Sequence, residues 1–227
     1  MSFSIKLTAS PWPALIAAML VWVAPTATWG QTSKAPARAP APKFVEVPAT
    51  TQLLQQLQAG GYTLYLRHGP TNNSIADRVP AVDLNDCGTQ RPLTEAGQAL
   101  MAKVGQSMRQ AKIPIGEFRV SPLCRAKDSA AAAFPDRAPE VDPLLMYVAN
   151  FTASQKAPVI SNTRRLLSVP VASGENRLLL AHAPNLMELI GYFPKEGTLV
   201  IFRPKGERSG FDYLASVAPE AWADLLK

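Results

Sequence analysis

Two histidines occur in the 227 residues, and each closes an apolar run that reads as a β-strand. His68 ends YTLYLRH and His182 ends RLLLAH. Either alone reads more readily as a hydrogen-bonded structural histidine than as a functional one. Their coincidence at two strand ends is more informative, because α/β folds bind ligands outside the carboxyl ends of their strands. Arg67 precedes the first histidine, and a third run, FRV, is followed by Ser121 and Arg125. Two imidazoles and two guanidiniums are therefore placed to meet in one crevice. Guanidinium forks match phosphate oxygens bidentately. An imidazole held in one tautomer can attack phosphorus. From the residues alone, the pattern implies a site for phosphate or another anion, suited to phosphoryl transfer.

The intervening sequence alternates strand-like and helix-like segments. Thr50 or Thr51 is placed to cap a short helix bearing Leu53, Leu54 and Leu57, ended by Gly60-Gly61. Tyr62–Leu66 is rich in strand formers, and 70–92 reads as a long polar loop. Leu93-Thr94 opens a helix whose buried face is expected at Leu100, Val104 and Met108. Further strands are expected at 118–120, 177–181, 198–202 and 211–217, with helices at 122–134, 153–168 and 219–226. This order implies an α/β fold: a single domain with a largely parallel central sheet flanked by helices.

The motifs then carry a resemblance. LYLRHGPT (64–71) is similar to the Arg-His-Gly signature of the histidine phosphatase superfamily, which includes phosphoglycerate mutases and acid phosphatases. RPLTEAGQAL (91–100), SPLCRAKDSA (121–130) and LLLAHAPNL (178–186) resemble, in order, its Leu-Thr-x-x-Gly helix start, its second-arginine motif and the strand carrying its second histidine. The resemblance implies a phosphoglycerate mutase-like fold and four roles. His68 would attack phosphorus and become a phosphohistidine. Arg67 and Arg125 would grip the nonbridging oxygens, and His182 would hydrogen-bond the phosphoryl group. Arg91 and Asn185 are second-tier phosphate or substrate contacts or, equally, structural residues. No cofactor and no metal is implied.

The departures concern the proton donor. Acid phosphatases of this superfamily often have His-Asp at the second histidine, where this chain has Ala183-Pro184. The mutase-like branch usually supplies a Glu after the second-arginine helix, where this chain reads VDPLLMYVAN and offers only Asp142. Glu175, Asp86 and Asp77 are the remaining candidates. Without a donor, an alcohol leaving group departs slowly.

The front of the chain has a different character. Lys6 precedes the unbroken apolar run 14–24, and small residues follow up to Gly30. This is the pattern of a secretory signal peptide over 1–30, with an uncleaved anchor as the alternative. Residues 31–47 form an Ala/Pro-rich linker, and 48–227 the phosphatase-like domain. The linker reads as a solvated polyproline-type spacer, with contact to an anionic envelope surface as the alternative. Export to the periplasm or medium is expected. There Cys87 and Cys124 are compatible with one disulfide, which would pin the 70–92 loop and help aim Arg125, or would only add stability. No CxxC or Cys/His cluster exists, which argues against a zinc site.

The net charge of +6 suggests a polyanion partner until it is located. Residues 1–43 hold four bases and no acid, leaving +2 on the remainder. The expected partner is therefore a small phosphorylated substrate and not nucleic acid. Membrane contact is expected only through the signal peptide. Oligomeric state is not legible. Two functions follow: an exported phosphomonoesterase working through a phosphohistidine, or a catalytically weak or inactive phosphate-ligand or envelope-binding module of the same fold.

Overall fold

The computed structural model describes residues 43–78 and 83–227, which belong to one compact unit. The expected signal peptide and the linker up to residue 42 lie outside the described residues. Six strands form one sheet in the order β3-β2-β4-β1-β5-β6: β1 (Thr63–Arg67), β2 (Ile115–Val120), β3 (Glu140–Val141), β4 (Asn176–Ala181), β5 (Leu199–Pro204) and β6 (Phe211–Val217). The first four in that order are mutually parallel, and β5 runs antiparallel to β1 and to β6. The expected single α/β domain with a largely parallel sheet is the one observed.

The period-two alternation of the strands divides their side chains between two cores. Leu64, Leu66, Leu178, Leu180, Leu199 and Ile201 point to one face. That face is covered by α1 (Thr51–Gln58), α2 (Glu95–Gln110), α3 (Cys124–Ala133) and α6 (Trp222–Leu225). Tyr65, Leu179, Ala181, Val200 and Phe202 point to the other, under α4 (Ala153–Ser168) and α5 (Ala183–Ile190). Strands covered on both faces read as continuous apolar runs, as residues 64–66 and 178–181 do here.

Three details depart from the expectation. The core face of α2 is Met101, Val104 and Met108, while Leu100 is only half-buried, at its rim. Strand β3 and helix α5 were not expected. β3 is two residues long, and α5 has only eight with Pro184 in its first turn. The N-terminal boundary also lies earlier than residue 48. Phe44 stacks on Tyr192 at 4.3 Å and meets Tyr213 edge-on, and Val47 to Ala49 pair with Ser216 of β6.

The Leu-Thr-x-x-Gly segment has a local physical role. Thr94 caps α2 through the Gly97 N–H at 2.9 Å, and its own N–H and hydroxyl both bond the Pro70 carbonyl. A Cβ on Gly97 would stand 2.3 Å from that carbonyl oxygen. The missing side chain lets the start of α2 dock on the loop that follows His68.

Candidate active site

Register brings the site together. In the parallel pairs, Arg67 lies opposite Ala181 and Val120 opposite Leu180. The residues after each strand, His68, His182 and Ser121, therefore emerge side by side at the carboxyl edge. The ladder continues through the His68 N–H to Ala181 O (3.1 Å) and the Ser121 N–H to Leu180 O (3.0 Å). The two imidazoles meet edge to face with centroids 5.1 Å apart.

His68 is 1% exposed, and its Nδ1 lies 2.8 Å from its neighbour's carbonyl, Gly69 O. A carbonyl only accepts, so Nδ1 carries the proton and Nε2 is left with a free electron pair. Burial is the main cause that brings its pKa down to about 3; the Gly69 bond opposes this, and Arg125, Arg67 and Arg91 add to it. The imidazole is thus neutral across the physiological range. His182 is fully buried and its pKa lies well below the usual value, through burial first and then Arg125 and His68. Its Nε2 is 2.7 Å from Ser121 Oγ. With Ser121 donating, Nδ1 bears the proton, and it has no protein partner. Tyr65, two residues before Arg67, fixes this corner. Its hydroxyl donates to His182 O at 2.8 Å and accepts the His182 N–H at 3.1 Å.

Neutral buried histidines tie stability to pH. The unfolded chain takes up these protons near pH 6.5, while the folded chain resists until far lower. For His68 the contribution is full above about pH 6.5 and is lost as pH falls from there toward 3, and His182 acts in the same direction. Melting temperature should therefore drop between pH 7.5 and 4.5, with a shallower slope for His182→Gln. Parallel slopes would contradict this.

Three arginines surround the histidines with donors to spare. Arg125 is fully buried; its Nη1 donates to Asp77 Oδ1 at 2.9 Å, while Nε and Nη2 are unpartnered. Arg67 Nη1 donates to Pro194 O at 2.6 Å and Nη2 lies 3.4 Å from Glu196 Oε1, leaving Nε unpartnered. Arg91 leaves its Nε unpartnered too, with Nη1 3.4 Å from Asn73 Oδ1. Burial lowers the pKa of both Arg67 and Arg125, a cost that the neighbouring acids partly offset. Unpaired buried donors are costly unless something accepts from them. Asn185, in the first turn of α5, is also fully buried; its Nδ2 bonds Met146 O at 3.0 Å and its Oδ1 is free. All six expected site residues thus belong to this end of the sheet.

The long loop is fastened to the site. Cys87 and Cys124 form a disulfide, and Gln90 Oε1 accepts the Cys124 N–H at 2.7 Å. Asp77 bridges the Arg91 N–H (2.8 Å) and Arg125, so the loop supports the arginine next to the bonded cysteine. The bond closes a separation of 37 residues. Replacing both cysteines with alanine should lower unfolding free energy by up to about 4 kcal/mol. An unchanged urea midpoint would contradict that.

The proton-donor candidates separate. Glu175 lies at the amino end of β4, beside Gly60 and Gly116, at the edge opposite His182, and is excluded. Asp86 is exposed and caps the turn at Gly88. Asp142 accepts from the Leu144 N–H and Asn162 Nδ2 and faces Arg119 at 3.5 Å. Asp77 alone of the four reaches the site. Two residues not singled out from sequence also stand there. Glu196 sits against Arg67 and Thr71, and Tyr147 meets His182 edge-on at 5.5 Å and Arg125 at 5.1 Å. Among the described residues no cluster of three or more His, Cys, Asp or Glu could hold a metal ion.

No family model and no curated protein matches the chain. Solved structures align with it. The protein histidine phosphatase SixA complexed with tungstate is 18% identical, covering 70% of this chain and 97% of its own, with a TM-score of 0.48. Mycobacterial hydrolase 1 is 17% identical over 70% and 99%, at 0.49. The alpha-ribazole phosphatase from Shigella flexneri is 14% identical over 70% and 96%, at 0.45.

Proposed function

We propose that this protein is an exported phosphomonoesterase of the histidine phosphatase type, hydrolysing its substrate through a phosphohistidine on His68. One observation carries the reading. A buried imidazole with its Nε2 electron pair free stands among unpartnered donors of Arg67, Arg91, Arg125 and His182. Such a set is complementary to a phosphoryl group crowded by an incoming nucleophile, where positioning and charge stabilisation do most of the catalytic work. The four sequence motifs support the same family. Export is supported by the residue pattern of 1–30 and by the disulfide, a bond that persists in oxidising compartments.

The test is to incubate the protein with 4-nitrophenyl phosphate, quench it in base and map the modified peptide. A base-stable, acid-labile phosphoryl group on His68 is expected. Neither turnover nor a trapped phosphoryl group across a broad panel of esters would refute the enzyme.

A second reading has one observation in its favour. Both carboxylates near the pocket, Asp77 and Glu196, accept hydrogen bonds from its arginines, so neither has a proton ready for a leaving group. Calorimetry showing phosphate binding without turnover would favour a binding module of the same fold.

A further inference from the structure

We propose that Tyr147 is the proton donor to the leaving group, the part that the sequence motifs do not supply. This rests on the phosphatase reading above. Carboxylates are poor candidates here for a structural reason. Asp77 accepts from the Arg125 guanidinium and from the Arg91 N–H, and Glu196 faces Arg67 and Thr71. A carboxylate bound to a guanidinium is in its ionised form and has no proton to give. Asp142, Asp86 and Glu175 are engaged elsewhere or lie away from the pocket.

Tyr147 lies between the turn at Pro143–Leu145 and α4, in the segment after the second-arginine helix. Its ring is perpendicular to the His182 ring and packs against the Arg125 guanidinium. Its ring centroid lies 5.1 Å from the Arg125 guanidinium carbon, which places it beside one of the two arginines proposed to grip the phosphoryl group. The side chain is half-buried, and its hydroxyl is not sealed from solvent. Among the described residues that hydroxyl has no hydrogen-bond partner, whereas Tyr65 in the same corner is committed to His182. The ring is therefore fixed by packing while its O–H is uncommitted.

The chemistry balances. As Nε2 of His68 bonds to phosphorus, the ester P–O bond breaks, and the departing oxygen takes the Tyr147 proton to leave as the alcohol. The phenolate that remains lies beside the Arg125 guanidinium, which offsets its charge. Water then attacks the phosphohistidine, the N–P bond breaks, and inorganic phosphate forms. One proton of that water returns to the phenolate, restoring the starting state.

A donor matters most when the leaving group is a poor one. The test compares Tyr147→Phe with wild type on 4-nitrophenyl phosphate and on an alkyl phosphate. The phenylalanine keeps the ring packing, and inhibition by vanadate checks that the phosphate site is intact. A fall on the order of 10²-fold or more is expected on the alkyl ester, with a change of less than about 3-fold on the nitrophenyl ester. Equal losses on both esters, or no loss on either, would overturn the proposal. So would a selective alkyl loss found in Asp77→Asn in place of Tyr147→Phe. Wild-type protein that neither turns over nor forms phosphohistidine refutes the phosphatase reading and the donor with it. An active wild type with an unselective variant refutes Tyr147 alone.

Discussion

Replacing His68 with alanine is expected to abolish the phosphoenzyme and to lower kcat on 4-nitrophenyl phosphate by on the order of 10⁴-fold or more. No other side chain at the site can take over. His182 is the only other imidazole, and its Nε2 is paired with Ser121. In the tautomer that suits phosphate binding, its Nδ1 carries a proton and offers no electron pair. Ser121 has no base other than that same histidine, and Ser129 is committed as an acceptor from the Gly69 N–H and a donor to Arg125 O. The substitution removes a neutral group, so the charge of the pocket is unchanged and vanadate should still bind. Retained vanadate binding with lost turnover, measured together by calorimetry and rate, separates a missing nucleophile from a collapsed site. Retention of more than about a hundredth of the wild-type rate would mean that the nucleophile lies elsewhere.

How far the site was legible depended on whether a residue is placed by a strand or by a loop. Arg67, His68 and His182 were legible because a parallel strand in an α/β protein delivers the residues at its carboxyl end to the ligand edge. Strand polarity, applied more strictly, would also have removed Glu175. It precedes the β4 run while His182 follows it, so the two occupy opposite ends. Tyr147 and Glu196 were not legible, because they reach the pocket through loops whose paths depend on packing between segments far apart in sequence. Short elements failed for a related reason. β3 exists through two ladder positions with β2, and α5 is set by the His182 corner and by Leu186 in the core, not by a long periodic stretch. Leu100 fits the four-residue spacing as well as Met101 does. Only the position of the sheet beneath α2 decides between them.

Changing Arg125 to lysine should reduce kcat/KM by about 10²- to 10³-fold while leaving stability close to that of the wild type, and the contrast is the point. Arg125 is fully buried, with one nitrogen on Asp77 and two unpartnered. A lysine keeps the positive charge and can still face Asp77, so that carboxylate is not stranded. It cannot present the planar fork that would hold two phosphoryl oxygens at once. The loss should fall on the transition state and on vanadate affinity together, because both depend on that fork. Ligand-induced stabilisation gives a second readout. A ligand that binds only the folded chain raises stability by about 2.7 kcal/mol at a hundred times its Kd. Vanadate should therefore raise the melting temperature of the wild type clearly, and that of Arg125→Lys far less at the same concentration. Alanine at this position would be a poorer probe, because it leaves Asp77 without its partner and mixes instability with lost binding. If lysine supports wild-type kcat/KM, Arg125 acts as a point charge, and the paired-donor description of the pocket fails.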